Sequence, residues 1–435
     1  MAGASPDVLA LDEPRTEGEL ETYDILILDA LGKQGLTSTR SLGRAGIRVA
    51  VGESVGQYSS RSQPPAWKSR YCARAVALPD YNGDQLAYVQ AIIAFVGRHR
   101  VKVVLPTADP SITMLALHRK RFAELDCTLV LASDAALEVA NDKNRTLELA
   151  SKLGIACPKS IQINGVEGVR VAEAEFGYPF VLKPTISWTG QAERRVYPVE
   201  VIDEADAVDK AARFLATGCE VLAQQFASGR REGVTLFFAD GQVLAICGAA
   251  ALRTCPPLGG VAAMRESIPI PPEMLDASVR LIAAIGLEGP CEVEFRRDAS
   301  GRPLLMEINA RLVGTLENAS KSGVDFPLII WQWATGQPVE PVLTYRTGVR
   351  TRWLGGDLLW LFANILQPSH LERVPAIRAI WQFTSEFART RHYDNIDRRD
   401  MWPAVASVQD TVIFARKQWG KRKQQLKAQK KSAMV

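Results

Sequence analysis

The chain has 435 residues, 47% apolar and 23% charged, with 52 lysines and arginines against 48 acids. That length exceeds one ordinary core and that balance excludes a disordered or fibrous chain, so two to four globular domains are expected. No apolar run reaches the roughly 20 residues that cross a bilayer.

Residues 1–22 are acidic and rich in small side chains, which reads as a disordered lead-in. They lack the basic region and apolar core of a secretory signal, so a cytoplasmic location is expected. From 23 to 130, YDILILDA is a strand, GKQGLTSTRSLGRAG a glycine-led turn and helix, and IRVAVGE a second strand; VKVVLPTADP and CTLVLASD continue the alternation. This predicts an α/β domain with a largely parallel sheet. Gly32 and Gly35 give only GxxG, so a structural strand-to-helix turn is favoured over a dinucleotide site with Glu53 as ribose acceptor.

Residues 131–225 read as a small lobe with a flexible flap. NDKNRTLELASKLGI is a helix, YPFVLKP a strand delivering Lys183 at its end, and SWTGQAERRVYPV a polar loop. Lys143 opens its helix, where a cation opposes the helix dipole unless an anion is bound nearby. Lys183 could reach phosphates as a point charge, and Ser187, Thr189 and Gly190 could cradle phosphate oxygens; a strand-end lysine and an ordinary loop are the plain alternatives.

Residues 226–345 read as a larger β-rich lobe, with a hairpin at Asp240-Gly241. Residues 346–435 read as helical. DLLWLFANIL at 357–366 is too short to span a membrane, and 416–431 holds eight basic residues and no acid. Trp353, Leu358, Leu359 and Trp360 are expected to pack on the preceding lobe while the tail stays in solvent. An interfacial anchor on anionic lipid is the alternative, and no nucleic acid partner is expected. The seven cysteines show neither CxxC pairs nor histidines at ligand spacing, which argues against zinc and a disulfide framework.

The chemistry concentrates in CEVEFRRDASGRP and LLMEINARLVG. Side chains alternate across a strand, so Glu307, Asn309 and Arg311 share one face, with Met306, Ile308 and Ala310 on the other. DASG is a turn sequence. A turn centred between Ser300 and Gly301 sets Glu294 opposite Glu307 and Glu292 opposite Asn309. Like charges directly opposed destabilise a sheet, and a divalent cation would reverse the sign. Glu294, Glu307 and Asn309 offer only oxygen ligands, which suits Mg²⁺ holding phosphates and water, and Arg311 could grip a phosphoryl oxygen or a carboxylate. A solvated strand face with an incidental acid pair is the alternative.

Glu294 with Phe295, followed by EINAR at 307–311, resembles the metal-binding signature of the ATP-grasp superfamily, with Ala310 in place of its usual proline on the face away from the ligands. The resemblance covers about residues 23–345. It implies a pre-grasp Rossmann-like domain, then a two-lobed α+β ATP-grasp fold with ATP between the lobes, and leaves the helical C-terminal extension outside. It implies Lys143 and Lys183 as phosphate contacts, Gln224, Gln225, Phe226 and Ala227 as the adenine hinge, and Glu232 as ribose acceptor. ATP as substrate and two Mg²⁺ ions, with Mn²⁺ as a substitute, go with it.

The stretch AALRTCPPLGGVAAMRES at 250–267 looks like the substrate loop of a branch of uncharacterised carboxylate-amine ligases in that superfamily. Arg253 and Arg265 could there fix a substrate carboxylate and the transferring phosphoryl group, or form surface salt bridges. The implied activity is formation of an acyl phosphate from a carboxylate, then of an amide with an amine. A carboxyphosphate enzyme like biotin carboxylases or carbamoyl-phosphate synthetases and a nucleotide-binding regulator without turnover are the alternatives, and a homodimer is compatible with each.

Overall fold

The computed structural model describes residues 21–58, 63–186, 188, 198–216, 218–255, 257, 260–366 and 373–408. Residues 1–20 of the lead-in, Ser187, Thr189 and Gly190 of the expected phosphate flap, and the basic tail all lie outside them.

All four residues of β1 (Ile25–Leu28) are buried, as expected of a strand covered by helices on both faces. It pairs in parallel with β2 (Val49–Ser54) and β4 (Val103–Leu105). β3 (Cys72–Leu78) and β5 (Thr128–Leu129) complete the order β3-β2-β1-β4-β5. Helices α1 (Lys33–Arg44), α2 (Gln85–His99), α3 (Asp109–Ala116) and α4 (Arg119–Ala123) link the strands. The strand order reverses between β1 and β4, and the crevice beyond the carboxyl ends at such a point is where open α/β sheets bind ligands.

Asp29 ties the two loops at that point, accepting from Thr107 N at 2.8 Å and Ser111 Oγ at 2.7 Å. Gly35 packs closely there, since a Cβ would sit 3.0 Å from the Asp29 carbonyl oxygen. Glu53 accepts from Leu31 N at 2.8 Å and Ser54 N at 2.9 Å, so it clamps the loop as a structural turn requires.

The small lobe is an antiparallel sheet ordered β6 (Ser160–Ile163), β9 (Val221–Gln225), β7 (Phe180–Pro184), β8 (Val199–Val201). One face packs on α7 (Val166–Phe176) and α8 (Glu204–Leu215) in a core of its own. The helices α5 (Asp134–Asn141) and α6 (Lys143–Lys152), read above as small-lobe elements, pack elsewhere. Their apolar faces, through Leu137, Ala140 and Ala150, join Leu305 and Ile308 in the core of the large lobe.

The large lobe is a seven-stranded sheet. Its strands run in the order β14 (Pro303–Asn309), β13 (Gly289–Arg297), β10 (Arg231–Ala239), β11 (Gln242–Cys255), β12 (Val261–Ser267), β15 (Arg350–Arg352) and β16 (His392–Tyr393). Asp240 and Gly241, at φ 53° and 74°, turn β10 into β11 as expected. Helix α9 (Pro272–Ala284) covers one face. Helices α10 (Leu316–Ser322) and α11 (Phe326–Ala334) share a continuous core with the N-terminal sheet, so these two units are fused and the small lobe is the separate body.

The region beyond 345 is not wholly helical, because β15 and β16 extend the large sheet. Helix α12 (Leu354–Leu366) packs on β11 and β12, with α13 (Ala376–Arg389) against it. Residues 392–400 then return to α1, where Arg40 pairs with Asp400 at 2.8 Å and Arg44 with Asp397. Among the described residues no helix is long and apolar enough to cross a membrane.

Candidate functional site: a charged cleft between the lobes

The β13–β14 hairpin sorts its side chains by strand parity. Cys291, Val293, Phe295, Leu305 and Ile308 are buried in the apolar core, and Glu292, Glu294, Glu307 and Asn309 line the opposite side. Glu294 stands opposite Glu307 and Glu292 opposite Asn309, the register expected from the turn. Beyond Glu294 the register slips by one, so Phe295 faces Leu305. A bulge sets two residues against one. Met306 therefore lines the cleft beside Glu307, whereas strict alternation places it on the core side.

Burial raises Glu294 to about 7; the like charges of Glu307 and Glu292 add to the effect and Arg231 opposes it. Arg231 Nε lies 3.8 Å from Glu294 Oε2, and Lys143 Nζ 3.8 Å from Glu307 Oε2, so each cation attracts without a full hydrogen bond. Glu292 is raised by burial, against a 2.8 Å hydrogen bond donated by Thr315 Oγ1. Among the described residues no three His, Cys, Asp or Glu side chains form a cation cluster. Among the described residues, Glu294, Glu307 and Asn309 offer two carboxylates and an amide on this face. That hard oxygen set fits Mg²⁺, which keeps further positions for phosphate and water.

Across the cleft, Phe180 and Leu182 of β7 point into the small-lobe core, which turns Val181 and Lys183 to the opening. Lys143 N donates to the Thr185 carbonyl at 3.1 Å, tying the start of α6 to the end of β7. This stitch brings the two lysines together although they belong to separate cores. Both are nearly inaccessible, at 6% for Lys143 and 4% for Lys183. Burial, and next the charge of Lys143, lower Lys183 to about 8. Gln224, Gln225, Phe226 and Ala227 line the same opening, with Gln224 donating to Ser160 Oγ at 2.9 Å.

The cleft encloses about 460 Å³. Its far wall comes from the N-terminal domain and the segment after β15, which sequence reasoning missed. Lys33 and Gln34 of the GKQG turn line it, with Thr107, Arg231, Arg296 and Trp353. Lys33 Nζ donates to the Ala262 carbonyl at 2.9 Å, lies 3.5 Å from Asp394 Oδ2 and sits 5.1 Å from the Trp353 ring centre. Burial, followed by the charge of Arg265, lowers Lys33 to about 7. Arg311 lines this wall too, held by Asp109 at 2.5 Å and by Asn309 Oδ1 at 3.2 Å.

Three expected residues face elsewhere. Glu232 lies one step off the cleft-facing parity of β10, opposite Phe295, and both its oxygens are occupied, by Arg230 at 2.9 Å and by Arg297 at 2.7 Å. A ribose acceptor at Glu232 does not fit this placement. Arg253 lies under α12, 3.1 Å from Asp357 Oδ1 and stacked 4.7 Å from the Trp360 ring centre. Arg265 is fully buried and bonded to Asp394, to Thr351 Oγ1 at 3.1 Å and to the Ala262 carbonyl at 2.8 Å. Both arginines hold strands and extension together rather than opening to the cleft. Of the 250–267 loop, Gly260, Val261 and Ala262 do line the cleft, and Arg231 Nη1 donates to the Gly260 carbonyl at 2.9 Å.

Residues 258–356 match the family described as ATP-grasp in the biosynthetic pathway with Ter operon. The carbamoyl phosphate synthase large chain of Gemmatimonas aurantiaca is 26% identical over 259 residues, 55% of this chain and 23% of that protein. The same protein of Neisseria gonorrhoeae is 26% identical over 246 residues, covering 53% and 22%. The chain thus spans about a quarter of the length of the curated relatives it matches.

By structure, an L-amino acid ligase from Bacillus licheniformis superposes with a TM-score of 0.55 at 18% identity, over 74% of this chain and 75% of that one. N5-carboxyaminoimidazole synthetase from Staphylococcus aureus, complexed with ADP, gives 0.56 at 17% identity, over 77% and 82%. The chain has the ATP-grasp fold, and the resemblance to that superfamily read from EINAR holds.

Proposed function

We propose that the chain is an ATP-dependent ligase that activates a carboxylate as an acyl phosphate and joins it to an amine. The observation that carries this reading is the sorting of charge across one cleft. Two buried, mutually repelling lysines face two opposed, half-buried glutamates, an arrangement that a polyphosphate with its cation would offset. Glu294, Glu307 and Asn309 would hold Mg²⁺, which when bound withdraws charge from the transferring phosphoryl group.

In this reading Lys143 and Lys183 bind the phosphates, the 224–227 segment and Met306 border the base, and Lys33, Arg231 and Trp353 receive the acid at the far wall. A carboxylate oxygen attacks the γ-phosphorus, the bond to the ADP oxygen breaks, and an acyl phosphate remains. The amine then attacks the acyl carbon, inorganic phosphate leaves, and a proton passes to solvent. A second cavity of about 570 Å³, lined by Trp188, Asp142 and Arg145, meets the cleft at Lys143, Glu307 and Asn309, which gives a second reactant access to the same edge. No protein nucleophile is needed. Burial pushes the thiols of Cys247 and Cys255 up to about 12, so neither is a thiolate at neutral pH.

The test is incubation with Mg²⁺·ATP, pooled carboxylic acids and hydroxylamine. An acyl phosphate is trapped as a hydroxamate whose mass names the acid. ADP release that needs bicarbonate and yields no hydroxamate would instead favour a carboxyphosphate enzyme.

A further inference from the structure

A surface helix normally buries its apolar stripe and shows its charges. Helix α13 does the reverse. Ile377, Ile380, Trp381 and Phe387 are exposed, at 85%, 46%, 59% and 51%, and their spacing sets them along one side. The inward side carries Ala379 and the charged Glu386, which meets Arg350 at 3.2 Å, while Phe383 accepts a backbone hydrogen bond from Arg352 at 2.8 Å. The helix is held inward by these polar contacts and by Arg352, 4.4 Å from the Phe383 ring centre and 4.5 Å from that of Phe387, while Ile377, Ile380 and Trp381 stay exposed on its outer side. On α12, packed against it, Phe362 and Ile365 are also exposed.

The charges of the extension are sorted as strictly. Every acid among its described residues from 354 onward is engaged inward: Asp357 with Arg253 and Arg352, Glu386 with Arg350, Asp394 with Arg265, Asp397 with Arg44, and Asp400 with Arg40. Arg373, Arg378, Arg389, Arg391, Arg398 and Arg399 all lie at the exposed surface. Arg389 rests 6.0 Å from the Trp381 ring centre, on the flank of the apolar stripe. The sequence beyond 408 adds eight basic residues and no acid between 416 and 431.

We propose that the outward face of α13, with Phe362 and Ile365 of α12, docks on an anionic lipid bilayer surface. Aliphatic and aromatic side chains enter the headgroup boundary while arginines stay at the phosphates, the two signals that peripheral attachment combines. A nucleic acid would use the arginines but gain little from Ile377 and Ile380. A second copy of this chain would bring six arginines against six arginines. This placement is independent of the ligase reading.

The test is co-sedimentation of the full-length chain with vesicles of phosphatidylglycerol and phosphatidylcholine, or of phosphatidylcholine alone. The chain should pellet only with the anionic vesicles, and less in high salt. The exposed pairs Ile377→Ser with Trp381→Ser, and Arg378→Glu with Arg389→Glu, should each lower the bound fraction at least tenfold while ATP hydrolysis is unchanged. Three results overturn the proposal: a full-length chain that stays in the supernatant, serine variants that bind normally while removal of 409–435 abolishes binding, and a patch that supports self-association or duplex DNA binding in place of lipid.

Discussion

Two regions of the large lobe concentrate charge, one buried and one at the cleft, and resolve it in opposite ways. Beneath α12 and α13, arginines meet acids at close range: Arg352 to Asp357 at 2.6 Å, Arg253 to Asp357 at 3.1 Å, and Arg265 bonded to Asp394. On the cleft face of β13 and β14, Glu294 and Glu307 oppose each other, and their cations stay 3.8 Å away. Closed pairing makes the first region structural, since removing either partner strands a buried charge. The second would be receptive in the proposed reading, where a polyphosphate with its cation balances the opposed glutamates. Buried arginine alone does not mark a binding site; the state of its partner does.

The comparison breaks most visibly through Glu307. Glu307→Gln should cut ADP formation by about a thousandfold, roughly 4 kcal/mol of lost charge stabilisation. The same change removes one of two opposed like charges, so the urea unfolding midpoint should stay level or rise. A variant that keeps half its activity at limiting Mg²⁺, or that unfolds more easily, contradicts the assignment. Asp357→Asn should do the opposite: it leaves Arg253 and Arg352 without a counter-charge and costs on the order of 3 kcal/mol of stability. Activity per folded molecule should hardly move. Equal unfolding midpoints for this variant and the unaltered chain would remove the distinction between the regions.

The pairing of Glu294 with Glu307 was legible because it is local. A turn sequence and two alternating strands determine which side chains oppose one another, and only the bulge that brings Met306 to the cleft escaped that reading. Arg265 was misread because the acid that claims it, Asp394, lies 129 positions further on. Arg253 shares that failure through Asp357. Glu232 needed the β10–β13 register, which sets Gly233 rather than Glu232 opposite Glu294. Lys33 lay in a turn judged structural, and the turn is structural, yet it sits at the switch point of the parallel sheet. That position alone was the available signal for its place in the cleft.

Lys33 gives the finest test, because it belongs to both regions. It lines the cleft, and its ammonium lies 3.5 Å from Asp394, the acid that also closes on Arg265. Burial and the charge of Arg265 lower it to about 7, so it loses its proton as pH rises through neutrality. If it receives the substrate anion, kcat/KM for the acid should fall severalfold between about pH 6 and pH 8, within the 1.5–3 kcal/mol or so that a charge-assisted hydrogen bond contributes. A bound anion favours the protonated lysine, so kcat at saturating acid should vary less over the same range. Lys33→Met should show a lower kcat/KM at pH 6 and a flattened profile, with ATP affinity unchanged. An unaltered pH slope in that variant would return Lys33 to the closed network under the extension and leave Arg231 as the anion contact of the far wall.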